Sequence, residues 1–166
     1  MTRYRAFHPA WFVVAGIIML GGALLFQYVG GLQPCVLCIY QRWPWGIAIG
    51  LGAIALFTTG RPRLQSGLTV LGGLTMLVGA GIAGFHVGVE QGWWEGTAGC
   101  GGSLTTEGSI EDITAQLLAA PVVRCDEIAW SLLGISMAGY NFIISAILAI
   151  VALVSAPRLH RQPARA

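Results

Sequence analysis

Four cysteines are the residues of this sequence best suited to chemistry. They form two unlike pairs: a local Cys35-Val-Leu-Cys38, and a distant Cys100 and Cys125. Three kinds of chemistry use such a set. Disulfides can act as staples. Closing the chain between Cys100 and Cys125 would stabilise it by roughly 3.5 kcal/mol in the chain-entropy treatment, whereas closing Cys35–Cys38 adds only about 2 kcal/mol before strain. A staple therefore suits the distant pair and suits the local pair poorly. A zinc site would want a second close pair or neighbouring histidines, and His86 is the only histidine near these segments. Thiol–disulfide exchange needs an attacking thiolate and a disulfide it can reach. A Cys-x-x-Cys at a helix N-terminus meets the first need, because the helix dipole stabilises thiolate, and Pro34 marks such an entry. One pair fixed at a helix start and another on a glycine-flanked loop would make a redox relay.

Arg42 supports that reading. It follows Cys38 by four residues, which places both on one helix face about one turn apart. A guanidinium there can stabilise the Cys38 thiolate and donate hydrogen bonds to a carbonyl of a lipid-soluble electron acceptor. The alternative use is an arginine reaching for headgroups. His86 and Glu90, also four apart, can shuttle protons, flank an acceptor site or simply form an interfacial hydrogen bond. Gln33 and Gln41 read as residues satisfying a polar boundary. Arg124 would depress the neighbouring Cys125 thiol, but Asp126 and Glu127 oppose it.

The elements that must position these residues lie in a membrane. Of 166 residues, 55% are hydrophobic and only 10% charged, with a mean hydropathy of +0.72; a soluble domain carries about 25% charged residues. That balance excludes a disordered chain, a nucleic-acid-binding module and an ordinary water-soluble enzyme. The 24 glycines follow no three-residue period, and glycine is favoured where membrane helices pack closely. Four apolar stretches, about 9–28, 39–59, 66–89 and 128–156, each supply the roughly 20 residues needed to cross about 30 Å of hydrocarbon. Trp11, Tyr28, Trp43, Trp45, Trp93, Trp94 and Trp130 fall near their ends, where amphipathic rings suit the headgroup layer. The expected fold is an all-α membrane protein, a four-transmembrane-helix bundle forming one domain over residues 1–166.

Charge gives the orientation. All nine basic residues are arginines, and seven cluster as Arg3 and Arg5, Arg61 and Arg63, and Arg158, Arg161 and Arg165. Every acidic residue lies between Glu90 and Glu127. The positive-inside rule places both termini and the 60–65 turn in the cytoplasm. The connections at about 29–38 and 90–127 then face outwards and carry all four cysteines, on the side where disulfides persist. Arg42 stands on the opposite side from the other clusters, and an arginine within a span is a functional candidate by default. The first stretch is longer than a signal-peptide core and lacks a clear A-x-A site, so it reads as a retained helix. Within the second outer loop, Ile110, Ile113, Leu117 and Leu118 recur at helical spacing, Ser109 can cap, and Glu111 and Asp112 suit an N-terminal turn. A short amphipathic helix over 109–120 is expected, on the membrane surface or packed on the bundle.

The stretch Pro34-Cys-Val-Leu-Cys-Ile-Tyr-Gln-Arg42 resembles the signature of the bacterial disulfide bond formation protein B (DsbB) family, and the likeness extends over nearly the whole chain. Cys125-Asp-Glu-Ile-Ala-Trp-Ser-Leu-Leu-Gly134 and Met137-Ala-Gly-Tyr140 are similar to the entry into that family's last helix. The resemblance implies an inner-membrane enzyme that reoxidises a periplasmic thioredoxin-fold dithiol oxidase of the DsbA type. Electrons would pass to membrane quinone, ubiquinone or menaquinone, the route by which the bacterial periplasm is kept oxidising. By position, Cys100 would receive the partner's attack, Cys125 would communicate with Cys35, and Cys38 would face the quinone with Arg42 supporting it. No metal is implied. The glycine-rich surroundings of Cys100 match no motif of the family. Two rivals remain at this level: a quinone reductase of the vitamin K epoxide reductase type, and a non-enzymatic four-helix scaffold with a stapled loop.

Overall fold

The computed structural model describes residues 7–58, 60–100, 109–111, 114 and 123–160. Arg3, Arg5, Arg161, Arg165, Glu107, Asp112 and most of the expected amphipathic stretch, with Ile113, Leu117 and Leu118, lie outside the described residues. Helices dominate what is described. Helix α1 runs Ala10–Tyr28, a short α2 runs Val36–Tyr40, α3 runs Arg42–Phe57, α4 runs Pro62–Glu90 and α5 runs Met137–His160. Among the described residues, α1, α4 and α5 are each long and apolar enough to cross a membrane. Helices α2 and α3 are separated only by Gln41, so residues 36–57 form a nearly continuous helical rod.

The first and last helices share one core, where Phe12 of α1 is buried in a cluster with Leu148, Ala149 and Ala152 of α5. Helix α4 packs along α5 and α3, and α3 packs along α1. Their exteriors are apolar: Ile17, Ile18 and Leu25 of α1, Ile54 and Phe57 of α3, and Ile150 and Val154 of α5 are all exposed. Lipid tails are as apolar as these side chains, so burial from water does not drive the helices together; close packing and hydrogen bonds must. The contact surfaces accordingly use small residues, with Ala48, Ala83, Ala149 and Ala152 fully buried. Phe12 inserts its ring against Gly72, where a Cβ would come within 2.6 Å of the ring atoms. Helix α4 starts at Pro62 rather than about residue 66, so most of the expected 60–65 turn is its first turn, and there Ser66 donates to the Ala156 carbonyl at 2.8 Å and ties α4 to α5.

Two further helix starts and the placement of one tryptophan differ from expectation. The second helical segment starts at Val36 rather than about residue 39, because Cys35 itself caps it: its backbone is extended and its Sγ accepts the Cys38 amide. The last helix starts at Met137 rather than about residue 128. The residues before it form a small antiparallel hairpin, β1 (Ser131–Leu132) with β2 (Ile135–Ser136), turned by Leu133 and Gly134 with positive φ at both. That is a tight primed turn, whose twist matches paired strands. Tyr140 donates to the Leu132 carbonyl and pins the hairpin on α5. Trp45, expected among the interfacial rings, is instead buried at 2% exposure, whereas Trp11, Trp43 and Trp93 stand exposed.

Candidate functional site

All four cysteines come together. Cys35, Cys100 and Cys125 are buried in one cluster with Leu37 and Val89, and Cys38, Val36 and Val123 pack against it. Cys100 and Cys125 form a disulfide across a separation of 25 residues. Cys35 and Cys38 are free thiols with their sulfurs 2.7 Å apart.

Each pair is placed by local structure. The turn Ala98–Cys100 follows α4 and rests on Val36 of α2. The Cys100 amide donates to the Thr97 carbonyl at 2.7 Å, and the Cys125 amide donates to the Cys100 carbonyl at 3.3 Å. Gly96 leaves room for Cys100, since a Cβ there would lie 2.6 Å from the Cys100 Cβ. Trp94 folds the chain back by donating to the Phe85 carbonyl at 2.9 Å. Beside Cys125, the Arg124 guanidinium pairs with Asp126 and lies near Glu127. That pairing holds the Asp126 carboxyl below its usual range. It also spends the Arg124 charge on its neighbours, in keeping with the opposition expected from the sequence.

The local pair sits at the N-terminus of α2, as the spacing predicts. Hydrogen bonding from Cys38 draws the Cys35 thiol below its ordinary range; burial pushes the other way, and the His86 ring reinforces the downward shift. Cys35 is therefore the sulfur that this arrangement favours as thiolate, whereas the sequence argument from Arg42 had favoured Cys38. The arrangement makes physical sense because the remaining thiol proton is shared with the sulfur that has lost its own.

His86 and Glu90 are both buried beside the sulfurs. His86 Nε2 is 3.6 Å from Cys35 Sγ and 3.9 Å from Glu90 Oε1, and Ser136 donates to the other Glu90 oxygen. Gln41 is not a boundary residue but a buried one, at 6% exposure. Its amide nitrogen lies 2.8 Å from His86 Nδ1 and donates to the Leu37 carbonyl, while its oxygen accepts from Asn141. Asn141 Oδ1 in turn accepts from the Trp45 indole at 2.7 Å and from Ser145 at 3.2 Å. Asn141, Ser136 and Ser145 escaped the sequence reading. An asparagine within a hydrophobic helix was the available signal, since polar side chains in a span are usually satisfied across helices.

Arg42 points into the same region, and its guanidinium donates to Gln27 Oε1 of α1 at 2.7 Å. A cavity of about 520 Å³ opens there, walled by α1 side chains such as Met19 and Phe26, by Ile144 of α5 and by Trp130. Cys35, Cys38, Arg42, His86 and Glu90 line it. Small-molecule pockets have this character, with apolar walls and a few placed polar groups, at about 300–1,000 Å³. A flat apolar ring with carbonyl oxygens fits it: the walls suit the ring, and Arg42 supplies donors of the right sign. Cys35, Cys38 and His86 also converge within 4.8 Å, a spacing that three ligands of one metal ion would have.

Membrane-type helices that gather a disulfide and a dithiol into one cluster define a membrane protein of disulfide chemistry. The chain belongs to the family of disulfide bond formation protein DsbB, whose family model matches residues 6–155. It is 33% identical to disulfide bond formation protein B of Chromohalobacter salexigens over 82% of this chain and 81% of that protein. It is 30% identical to the protein of that name from Xylella fastidiosa over 87% and 85% of the two chains. A third, from Paracidovorax citrulli, is 32% identical over 91% and 86%. No solved structure matches the chain significantly. Family membership makes this an oxidoreductase of disulfide bond formation in a membrane.

Proposed function

We propose that the protein is a quinone-dependent thiol–disulfide oxidoreductase of the bacterial inner membrane that reoxidises a periplasmic DsbA-type dithiol oxidase. One observation carries the reading: the Cys100–Cys125 disulfide and the Cys35–Cys38 dithiol share a buried cluster, and only the second pair borders the apolar cavity. The outer pair is thereby suited to a soluble protein and the inner pair to an acceptor dissolved in lipid.

The chain's own residues then divide the work. A thiolate of the reduced partner attacks Cys100 Sγ; a disulfide to the partner forms, the Cys100–Cys125 bond breaks, and Cys125 leaves as thiolate. The partner's second thiol displaces Cys100, so the partner leaves oxidised and the outer pair holds its two electrons. Cys125 next attacks Cys35 of an oxidised inner pair, which releases Cys38, and Cys100 then displaces Cys35. The outer disulfide re-forms and the electrons rest on Cys35 and Cys38, at the cavity wall. A quinone bound there supplies a two-electron, two-proton acceptor. Cys38, partly exposed to the cavity, is the sulfur facing it, Arg42 orients a carbonyl oxygen, and Gln27 holds Arg42 in place.

In this reading the rod of residues 36–57 is the fourth crossing of a single membrane domain, and both termini are cytoplasmic. Reporter fusions at Arg61 and Arg158 are expected to report cytoplasm, and one at Gly102 periplasm; a cytoplasmic Gly102 would remove the compartment on which the relay depends. The direct test mixes the purified protein anaerobically with quinone and a reduced thioredoxin-fold dithiol oxidase. Stoichiometric loss of quinone absorbance with oxidation of the partner is expected. Loss of neither would return the protein to a stapled scaffold.

A further inference from the structure

The hydrogen bonds behind Cys35 have a direction, and two of their ends cannot be reversed. The Trp45 indole N–H only donates, so the Asn141 atom 2.7 Å away must be the oxygen. Asn141 therefore offers its amide hydrogens to Gln41, which must receive them on Oε1. Independently, a backbone carbonyl only accepts, so the Gln41 atom 3.2 Å from the Leu37 carbonyl must be the nitrogen. Both ends orient the Gln41 amide the same way. Its second hydrogen then points at His86 Nδ1, 2.8 Å off, and a ring nitrogen that accepts carries no proton. In a neutral imidazole the proton is left on Nε2, the atom 3.6 Å from Cys35 Sγ and 3.9 Å from Glu90 Oε1. The ring also meets the Cys125 backbone, whose carbonyl can only accept and so likewise calls for a ring proton.

We propose that Gln41 is a positioning residue: gripped by Trp45 through Asn141 and by the Leu37 carbonyl, it fixes His86 with its proton on Nε2, as a hydrogen-bond donor to Cys35 sulfur. The proposal rests on the reading of Cys35–Cys38 as a redox pair and adds what holds the charge that this pair develops. It also decides the use of the Cys35–Cys38–His86 convergence. A metal would need the Nε2 lone pair, hence a proton on Nδ1 and a reversed Gln41 amide, which would set the amide oxygen against the Leu37 carbonyl. The cluster is built to donate to sulfur.

The step it serves can be isolated with dithiothreitol. A dithiothreitol thiolate attacks Cys38 Sγ, the more exposed sulfur; the new S–S bond forms there, the Cys35–Cys38 bond breaks, and Cys35 leaves with the electron pair facing His86 Nε2–H. The second dithiothreitol thiol then displaces Cys38. Two electrons have moved from dithiothreitol to the pair.

The test uses full-length protein in detergent or nanodiscs, with ring-¹⁵N histidine and the inner pair reduced. The His86 spectrum is expected to show a protonated Nε2 and an unprotonated Nδ1. Gln41→Met, which keeps shape but offers no donor, is expected to produce a mixture of tautomers and to slow dithiothreitol reduction of the Cys35–Cys38 disulfide by about tenfold, the worth of one hydrogen bond to a charged group. Acid quenching and differential alkylation read that pair separately from Cys100–Cys125. Gln41→Glu is expected to recover most of that rate, because a carboxylate beside Nδ1 favours a ring protonated on both nitrogens, and Nδ1 then reads as protonated. Trp45→Phe is expected to introduce a minority Nδ1–H population. A wild-type proton on Nδ1 overturns the proposal, as does an unchanged tautomer and rate in Gln41→Met; an unshifted Trp45→Phe spectrum removes Trp45 from the chain. An inner pair that never forms a disulfide would instead refute the redox reading beneath it.

Discussion

The two cysteine pairs lie in one cluster, yet they are held by different means. The inner pair starts a helix and is wired by side chains into helices α3, α4 and α5, through Gln41, His86, Asn141 and Trp45. The outer pair is held by its own covalent bond and mainly by backbone contacts, from a short turn and from the His86 ring to the Cys125 backbone, with the Thr97 hydroxyl 3.4 Å from Cys100 Sγ. A site embedded in helices keeps its geometry when its bonds change. A site held by the bond it exchanges is reset each time that bond opens. The first suits a fixed acceptor pocket, and the second suits a partner that must come and go.

Breaking the inner pair tests that contrast most severely. Cys38→Ser is expected to drop quinone reduction to background while leaving exchange at Cys100 with the soluble partner intact, read by anaerobic quinone absorbance beside gel analysis of partner adducts. Retained quinone turnover would mean that the cavity-facing sulfur is dispensable. Breaking the outer pair should give a different phenotype. With Cys125→Ser, Cys100 is a free thiolate that attacks the disulfide of added oxidised partner. The partner's S–S bond breaks, its second sulfur leaves as thiolate, and a mixed disulfide that Cys125 can no longer resolve accumulates, identified by acid trapping and mass spectrometry. Cys100→Ser should abolish that adduct, and an adduct found through Cys125 would reverse the order.

Smaller perturbations sharpen the comparison. Arg42→Ala is expected to weaken quinone use by about tenfold, the loss of one charge-assisted hydrogen bond, with loop exchange unaffected. Arg42→Lys should restore only part of it, because a point charge replaces a planar multi-donor fork. Gln27→Ala, which frees Arg42 without removing it, should raise the apparent KM for quinone by a lesser factor. Equal turnover and KM in all three would reduce Arg42 to a headgroup anchor. The mildest change is Gly96→Ala. Its Cβ would crowd Cys100, so a thermal midpoint lowered by about 1 kcal/mol of stability is expected, together with slower partner exchange and unaltered reduction of the inner pair by dithiothreitol. An equal effect at both pairs would show that they are not mechanically separate.

The membrane character of the chain was settled by composition, since a sequence with so few charges and such long apolar runs has no other way to bury itself. The family, too, was evident from Pro34–Arg42, because a Cys-x-x-Cys and an arginine one turn later are local features of one helix start. Three-dimensional packing decided the rest. Nothing in the sequence around Trp45 separated an interfacial ring from a buried donor, and nothing around Gln41 separated a boundary residue from the centre of a hydrogen-bond chain. The reason is that both depend on Asn141, which is remote in sequence and reaches them only when α5 packs beside α4. The start of α5 was hidden for a similar cause: residues 128–136 are apolar enough to continue a helix, but paired strands and the anchoring Tyr140 hydroxyl hold residues 131–136 in a hairpin. Hydropathy and spacing reveal what a segment can bury. Which donor meets which acceptor is a property of neighbouring helices, and in a protein that moves electrons between sulfurs it is also what sets the protons.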